Sequence, residues 1–245
     1  MTSERRFLEA DWRNLVMLNY VVDPNALADR VPAGCELDFW SGRTFVSVVG
    51  FQFLRTRVLN VSIPFHRDFE EVNLRFYVRR RADGAWRRGV VFVKELVPRF
   101  ATAFVARRLY GEPYEALPMR HSHCVDGDRM TTSYQWRRGG VWERMSATVS
   151  GSPVSLDDGS EEWFISEHHW GYSQPRDRTT VEYRVDHPRW RVWRSGSGTL
   201  ECDVAALYGR SFVDALSGAP SSAFVAEGSP VVVMKGERLK PSPAA

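Results

Sequence analysis

Gly89-Val90-Val91-Phe92-Val93-Lys94-Glu95-Leu96-Val97-Pro98 is the stretch whose reading decides the fold. β-Branched and aromatic residues fill it, glycine opens it and proline closes it, which is the pattern of a strand. Apolar residues fall at odd and even positions alike, so both faces read as covered. One ammonium, Lys94, interrupts the run. Strict alternation puts Lys94 on the face of Phe92 and Leu96, at a rim or inside a pocket. Of the 33 lysines and arginines in the chain, only those at 94, 235 and 240 are lysines. Arginine stays protonated, whereas a buried lysine can lose its proton and act as a nucleophile. The competing reading is a chance lysine on an arginine-rich chain, pointing at water.

The preceding segment, residues 69 to 81, alternates. Val72, Leu74, Phe76 and Val78 share one face; Glu71, Asn73, Arg75 and Tyr77 share the other. That polar face lies either against water or inside a barrel cavity. An Ala82-Asp83-Gly84 turn makes the two segments an antiparallel hairpin, which brings Glu71 and Lys94 within reach across the ladder.

Further strands are expected at 15–22, 35–40, 44–54, 117–124, 130–138, 141–150, 168–173, 180–186, 189–193 and 231–234. The Ser41-Gly42 turn is expected to join the second and third of these. Helices are expected after Asp23-Pro24, at 99–110, at 160–166 behind Ser160, and at 204–216 with an interruption at Gly209. The sum is an α+β fold, mainly antiparallel β. A strongly bent sheet, or partly closed barrel, would enclose a cavity with a few outer helices. One domain over residues 1–240 and a disordered tail at 241–245 complete the expectation.

A hydrophobic content of 43% and a charged content of 26% suit a globular domain, and a net charge of +3 gives no case for nucleic acid or anionic membranes. No run is long enough to span a bilayer, and no signal segment is seen, so the cytoplasm is expected. The scattered Cys35, Cys124 and Cys202 are no disulfide framework. The Trp–Arg interleaving at 136–138 and 190–194 reads as packing, with Trp190 and Trp193 also candidates for a homo-oligomer interface.

A lysine that attacks a carbonyl needs a lowered pKa, a carboxylate to move protons and a cation to hold an acid substrate. Lys94 fills the first role. Glu71 leads for the second, ahead of Glu70 and Glu95. Arg75, Arg99 and Arg120 are candidates for the third. Phe92, His121 and His66 join the ligand-binding set. His121, His123, Cys124, His168 and His169 lack metal-ligand spacing, so no metal is expected. No cofactor motif is present either.

Trp12 to Tyr20, Pro64 to Arg75, Ala116 to His121, Glu167 to Tyr172, His187 to Trp190 and Ala223 to Ser229 resemble the YqjF-like family, bacterial proteins with a domain of unknown function. That family is grouped with the acetoacetate-decarboxylase-like superfamily. The resemblance implies a cone-like bent β fold around a cavity, with Lys94 as a Schiff-base lysine and Glu71 as the cavity carboxylate. It departs at Glu95, where the decarboxylase carries a second lysine that lowers the pKa of the first. Two functions are therefore expected. One is a Schiff-base lyase acting on a keto acid or related small carbonyl compound. The other is a non-catalytic binder of such a molecule, with Lys94 ion-paired to Glu71 inside the cavity.

Overall fold

The apolar runs become long strands that close a ring. The computed structural model describes residues 5–62, 67–98, 113–175, 177, 179–194 and 196–239. In chain order the strands are β1 (Arg6–Val22), β2 (Glu36–Leu37), β3 (Thr44–Val58), β4 (Phe69–Ala82), β5 (Ala85–Val97), β6 (Tyr114–Ala116), β7 (Met119–Asp126) and β8 (Arg129–Arg138). They continue with β9 (Val141–Ser150), β10 (Val154–Ser155), β11 (Trp170–Ser173), β12 (Val181–Asp186), β13 (Arg191–Trp193), β14 (Ser197–Glu201), β15 (Ser222–Met234) and β16 (Glu237–Arg238). The short helices are α1 (Glu161–Ser166), α2 (Val204–Leu207) and α3 (Val213–Leu216).

The main sheet runs β15-β1-β3-β4-β5-β11-β12, and β12 pairs back onto β15 through Val185↔Val233. Closure removes sticky edges and leaves an inside and an outside. Every pairing along this path is antiparallel except β5–β11. A second sheet, β14-β9-β8-β7, covers the outer face. There Val16, Leu18, Val48, Val72 and Leu74 pack on Met130, Tyr134, Trp136 and Met145. Gly50 permits this approach: a Cβ at that position would lie 2.6 Å from the Tyr134 ring. The Tyr134 hydroxyl donates to the Asn14 carbonyl oxygen at 2.8 Å, where β1 bulges. The inner face carries a separate cluster that includes Leu15, Val49, Phe51, Phe53, Phe69 and Trp190.

Local signals act as expected at several ends. Ser160 accepts from the Trp163 amide to cap α1, and Asp203 accepts from the Ala206 amide to cap α2. Gly209, at φ +102°, ends that helical run before α3. The expected turn at Ser41-Gly42 forms, with Trp40 and Arg43 exchanging both backbone hydrogen bonds at 3.0 and 2.9 Å, but the pairing stops at that bridge and does not extend into a hairpin of strands. β3 already has β1 on one edge and β4 on the other, so Glu36–Leu37 pairs with β4 instead. The last long strand, β15, begins at Ser222 rather than at 231, and β14 was not expected at all. The helix at 99–110 and the tail at 241–245 lie outside the described residues.

Candidate functional site

The ring encloses a cavity of about 190 Å³. Its wall takes Trp12 and Leu15 from β1, Phe51 and Phe53 from β3, Phe69, Glu71, Asn73 and Arg75 from β4, and Phe92 and Glu95 from β5. Tyr114, Ser166, His168, His187 and Trp190 add to its polar and aromatic lining. The polar face of the 69–81 segment therefore lines a cavity and does not face water.

Lys94 does not line it. Cross-strand partners share a face. Arg75 pairs with Phe92, and Asn73 pairs with Glu95, all four on the cavity side. Between them Leu74 pairs with Lys94, because the register shifts between Leu74 and Arg75 and leaves one extra residue, Val93, in β5. A bulge of this kind inverts the alternation downstream. Lys94 therefore lies beside Leu74, a fully buried residue of the outer-face core. Its Nζ sits 2.5 Å from Glu115 Oε2, a pair that is partly exposed on both sides. The expected Lys94–Glu71 approach inside the cavity is thus replaced by a Lys94–Glu115 pair on the other face.

Glu71 is almost fully buried. Asn73 Nδ2 donates to Oε1 at 3.0 Å, and the Tyr114 hydroxyl donates to Oε2 at 3.3 Å. Burial pushes the carboxyl up to about 7, against these two hydrogen bonds and the positive charge of Arg75. Arg75 Nη2 donates to the Ile165 carbonyl oxygen at 3.2 Å, while its buried Nε has no hydrogen-bond partner among the described residues. Asn73 Oδ1 is in the same position. Buried polar atoms without partners are costly, so a group in the cavity that satisfied them would gain affinity.

His168 adds a feature that the sequence offered only as a rejected metal ligand. Its Nε2 lies 3.2 Å from Asp38 Oδ2, which also accepts from Arg88 Nε at 2.6 Å. Burial would raise Asp38, but hydrogen bonds from His168 and Arg88 hold it below the usual carboxylate range. Burial pushes His168 down to about 4, so its ring is neutral near pH 7. Nε2–H donates to Asp38, and the buried Nδ1 is left with its lone pair and no partner among the described residues. His187 is also pushed down to about 4 by burial, and its ring stacks on Trp190 at 4.2 Å. The 50- and 130-residue separations from Asp38 to Arg88 and His168 left no local signal for this chain of contacts.

Two other expected residues lie away from this cavity. Arg120 lies on β7, its guanidinium 4.1 Å from the centre of the Trp142 ring and its Nε 2.5 Å from Gln135 Oε1. His121 bridges the sheets on their outer side, with Nδ1 2.7 Å from Glu70 Oε1 and Nε2 2.8 Å from Gln52 Nε2. Neither lines the cavity, because β7 is an edge of the covering sheet and not a stave of the ring. Phe92 does line it. His66 and Arg99 fall outside the described residues. Trp190, considered for an oligomer interface, is buried in the cavity wall.

The sequence profile of DUF2071, described as an uncharacterized conserved protein family, matches residues 9–230. The chain belongs to this family. It is 25% identical over 179 residues to "Uncharacterized protein YqjF" of Bacillus subtilis, covering 72% of each chain. Among solved structures it resembles acetoacetate decarboxylase from Legionella pneumophila, with a TM-score of 0.65 and 15% identity over 96% of this chain and 88% of that one. It also resembles the enduracididine biosynthesis enzyme MppR complexed with pyruvate, with a TM-score of 0.67 and 16% identity over 98% and 93%. These likenesses establish an acetoacetate-decarboxylase-like fold. Among the described residues no helix is long and apolar enough to cross a membrane.

Proposed function

We propose that the cavity binds a small carbonyl compound bearing an acid group and that Glu71, not a lysine imine, moves a proton at that ligand. The observation that carries this reading is a buried carboxyl with its pKa at about 7, set in the cavity wall on the same face of β4 as Arg75, four residues away. A group titrating there can both take and give a proton at neutral pH. Arg75 holds the ligand's acid group through its unpaired Nε–H. Glu71 as carboxylate takes a proton from the carbon next to the carbonyl. The C–H electron pair moves into an enolate, and the carbonyl oxygen becomes negative. The protonated Glu71 then returns a proton to carbon. A fold relative solved with pyruvate supports the ligand class. A Schiff base would need the Lys94 amine inside the cavity, and the Leu74–Lys94 register argues against that.

Deuterium exchange into a panel of keto acids in heavy water, followed by NMR, tests the reading. The wild type and Lys94→Arg are expected to exchange at similar rates, and Glu71→Gln about a hundredfold more slowly or worse. Exchange lost in Lys94→Arg but kept in Glu71→Gln, or a borohydride-trapped adduct on Lys94, would overturn it. Keto acids that bind without exchange would leave a binding protein.

A further inference from the structure

The cavity is two-sided, and the register shows how its two ends are laid out. Along β4 the inward positions run from Phe69 through Glu71 and Asn73 to Arg75. Phe51 pairs with Glu71, and Phe53 pairs with Phe69. A packed aromatic group therefore begins beside Glu71 and continues away from Arg75, whose own cross-strand neighbour in the wall is the single ring of Phe92. There the rings form one packed group: Phe53 stacks on Phe69 with centroids 4.7 Å apart, Phe51 lies 5.1 Å from Phe53, and Trp12 lies 5.0 Å from Phe51. The polar end holds the unpartnered Nε of Arg75 and Oδ1 of Asn73. Residues 71 and 75 are separated by about 13 Å of strand backbone. A three-carbon acid anchored on Arg75 leaves the aromatic end unfilled. The cavity volume of about 190 Å³ exceeds the roughly 150 Å³ of apolar space that takes up a benzene ring.

We infer that the ligand of this cavity is an arylalkyl carboxylic acid, with its carboxylate on Arg75 and its ring among Phe51, Phe53 and Trp12. The inference rests on the reading of the cavity as an acid-binding site and adds the body of the molecule. Two features of the wall select it. The guanidinium favours an anion over a neutral or cationic head. The aromatic group rewards a ring through area burial and edge or offset contacts. A ring of this size gains a factor of about ten to a hundred over a ligand that lacks it.

Isothermal titration calorimetry with four unreactive probes separates the parts. The probes are 3-phenylpropionate, propionate, 3-phenylpropanamide and 3-phenylpropylamine. The expected result is 3-phenylpropionate binding at least about tenfold more tightly than each of the others. Arg75→Gln is expected to remove the preference for acid over amide while the circular dichroism spectrum stays native. Arg75→Lys, which keeps the charge, is expected to retain part of it. Propionate binding as tightly as 3-phenylpropionate would overturn the arylalkyl class and leave the acid site standing. Amide or amine binding as tightly as the acid would overturn the anchor at Arg75, and with it the reading on which the class rests. No binding of 3-phenylpropionate at millimolar concentration, with propionate or pyruvate still bound, would likewise overturn the class alone.

Discussion

The two faces of the β4–β5 hairpin are built from neighbouring residues and do opposite things. On the outer face Val72, Leu74, Phe76 and Leu96 are fully buried against the second sheet. On the inner face Glu71, Asn73 and Arg75 border open space, and Asn73 Oδ1 and Arg75 Nε have no hydrogen-bond partner among the described residues. One face spends its residues on packing, and the other holds polar groups that are costly to bury. The single extra residue in β5 decides which face receives Lys94 and which receives Glu95.

The largest effect expected from this contrast is on stability at the outer face. Leu74→Ala should cost about 2–5 kcal/mol in urea unfolding and leave ligand affinity unchanged in the fraction that remains folded. A loss of affinity without a loss of stability would erase the contrast. Asp38→Asn removes the charge that pairs with Arg88 and orients His168. It should cost roughly 2 kcal/mol and free the His168 ring to rotate. The check is the chemical shift of the His168 ring nitrogens, and an unchanged tautomer would contradict it.

The next effect concerns pH. The folded pKa of Glu71 is raised from 4.5 to about 7, so between these values the folded state holds a proton that the unfolded chain has released. The stability this contributes is full below about pH 4.5 and is lost as pH rises through about 7. His168 and His187, both depressed, act the opposite way over pH 6.5 to 4. The difference between variant and wild type isolates Glu71: Glu71→Gln should gain stability relative to wild type from pH 5 to pH 8, by on the order of 2 kcal/mol. A flat difference would mean an ordinary carboxyl. The smallest effect is at Lys94. Its partly exposed pair with Glu115 predicts that Lys94→Gln costs under about 1 kcal/mol and leaves ligand binding intact.

Much of this frame was legible in the sequence. Period-two alternation over 69–81 placed Glu71, Asn73 and Arg75 on one face, and the Asp83-Gly84 turn paired that strand with the next. The inward or outward choice at Lys94 was not legible. A bulge is set by how two strands match in three dimensions, and Val93 carries no local mark of it. That Arg120 and His121 lie away from this cavity was not legible for a related reason. Strand patterning reports which residues share a face, not which sheet the strand joins. The Arg88–Asp38–His168 contacts depend on β2 pairing with β4 and β11 pairing with β5, which join residues far apart in the chain.

The central claim is that the cavity's proton-transfer group is Glu71. The most direct test is the titration of its side-chain carboxyl carbon by ¹³C NMR, assigned by comparison with Glu71→Gln. The account predicts a midpoint at about 7, moving lower when an arylalkyl amine replaces the acid in the cavity and higher when the acid is bound. A midpoint near 4.5, the ordinary value for this group, would contradict it.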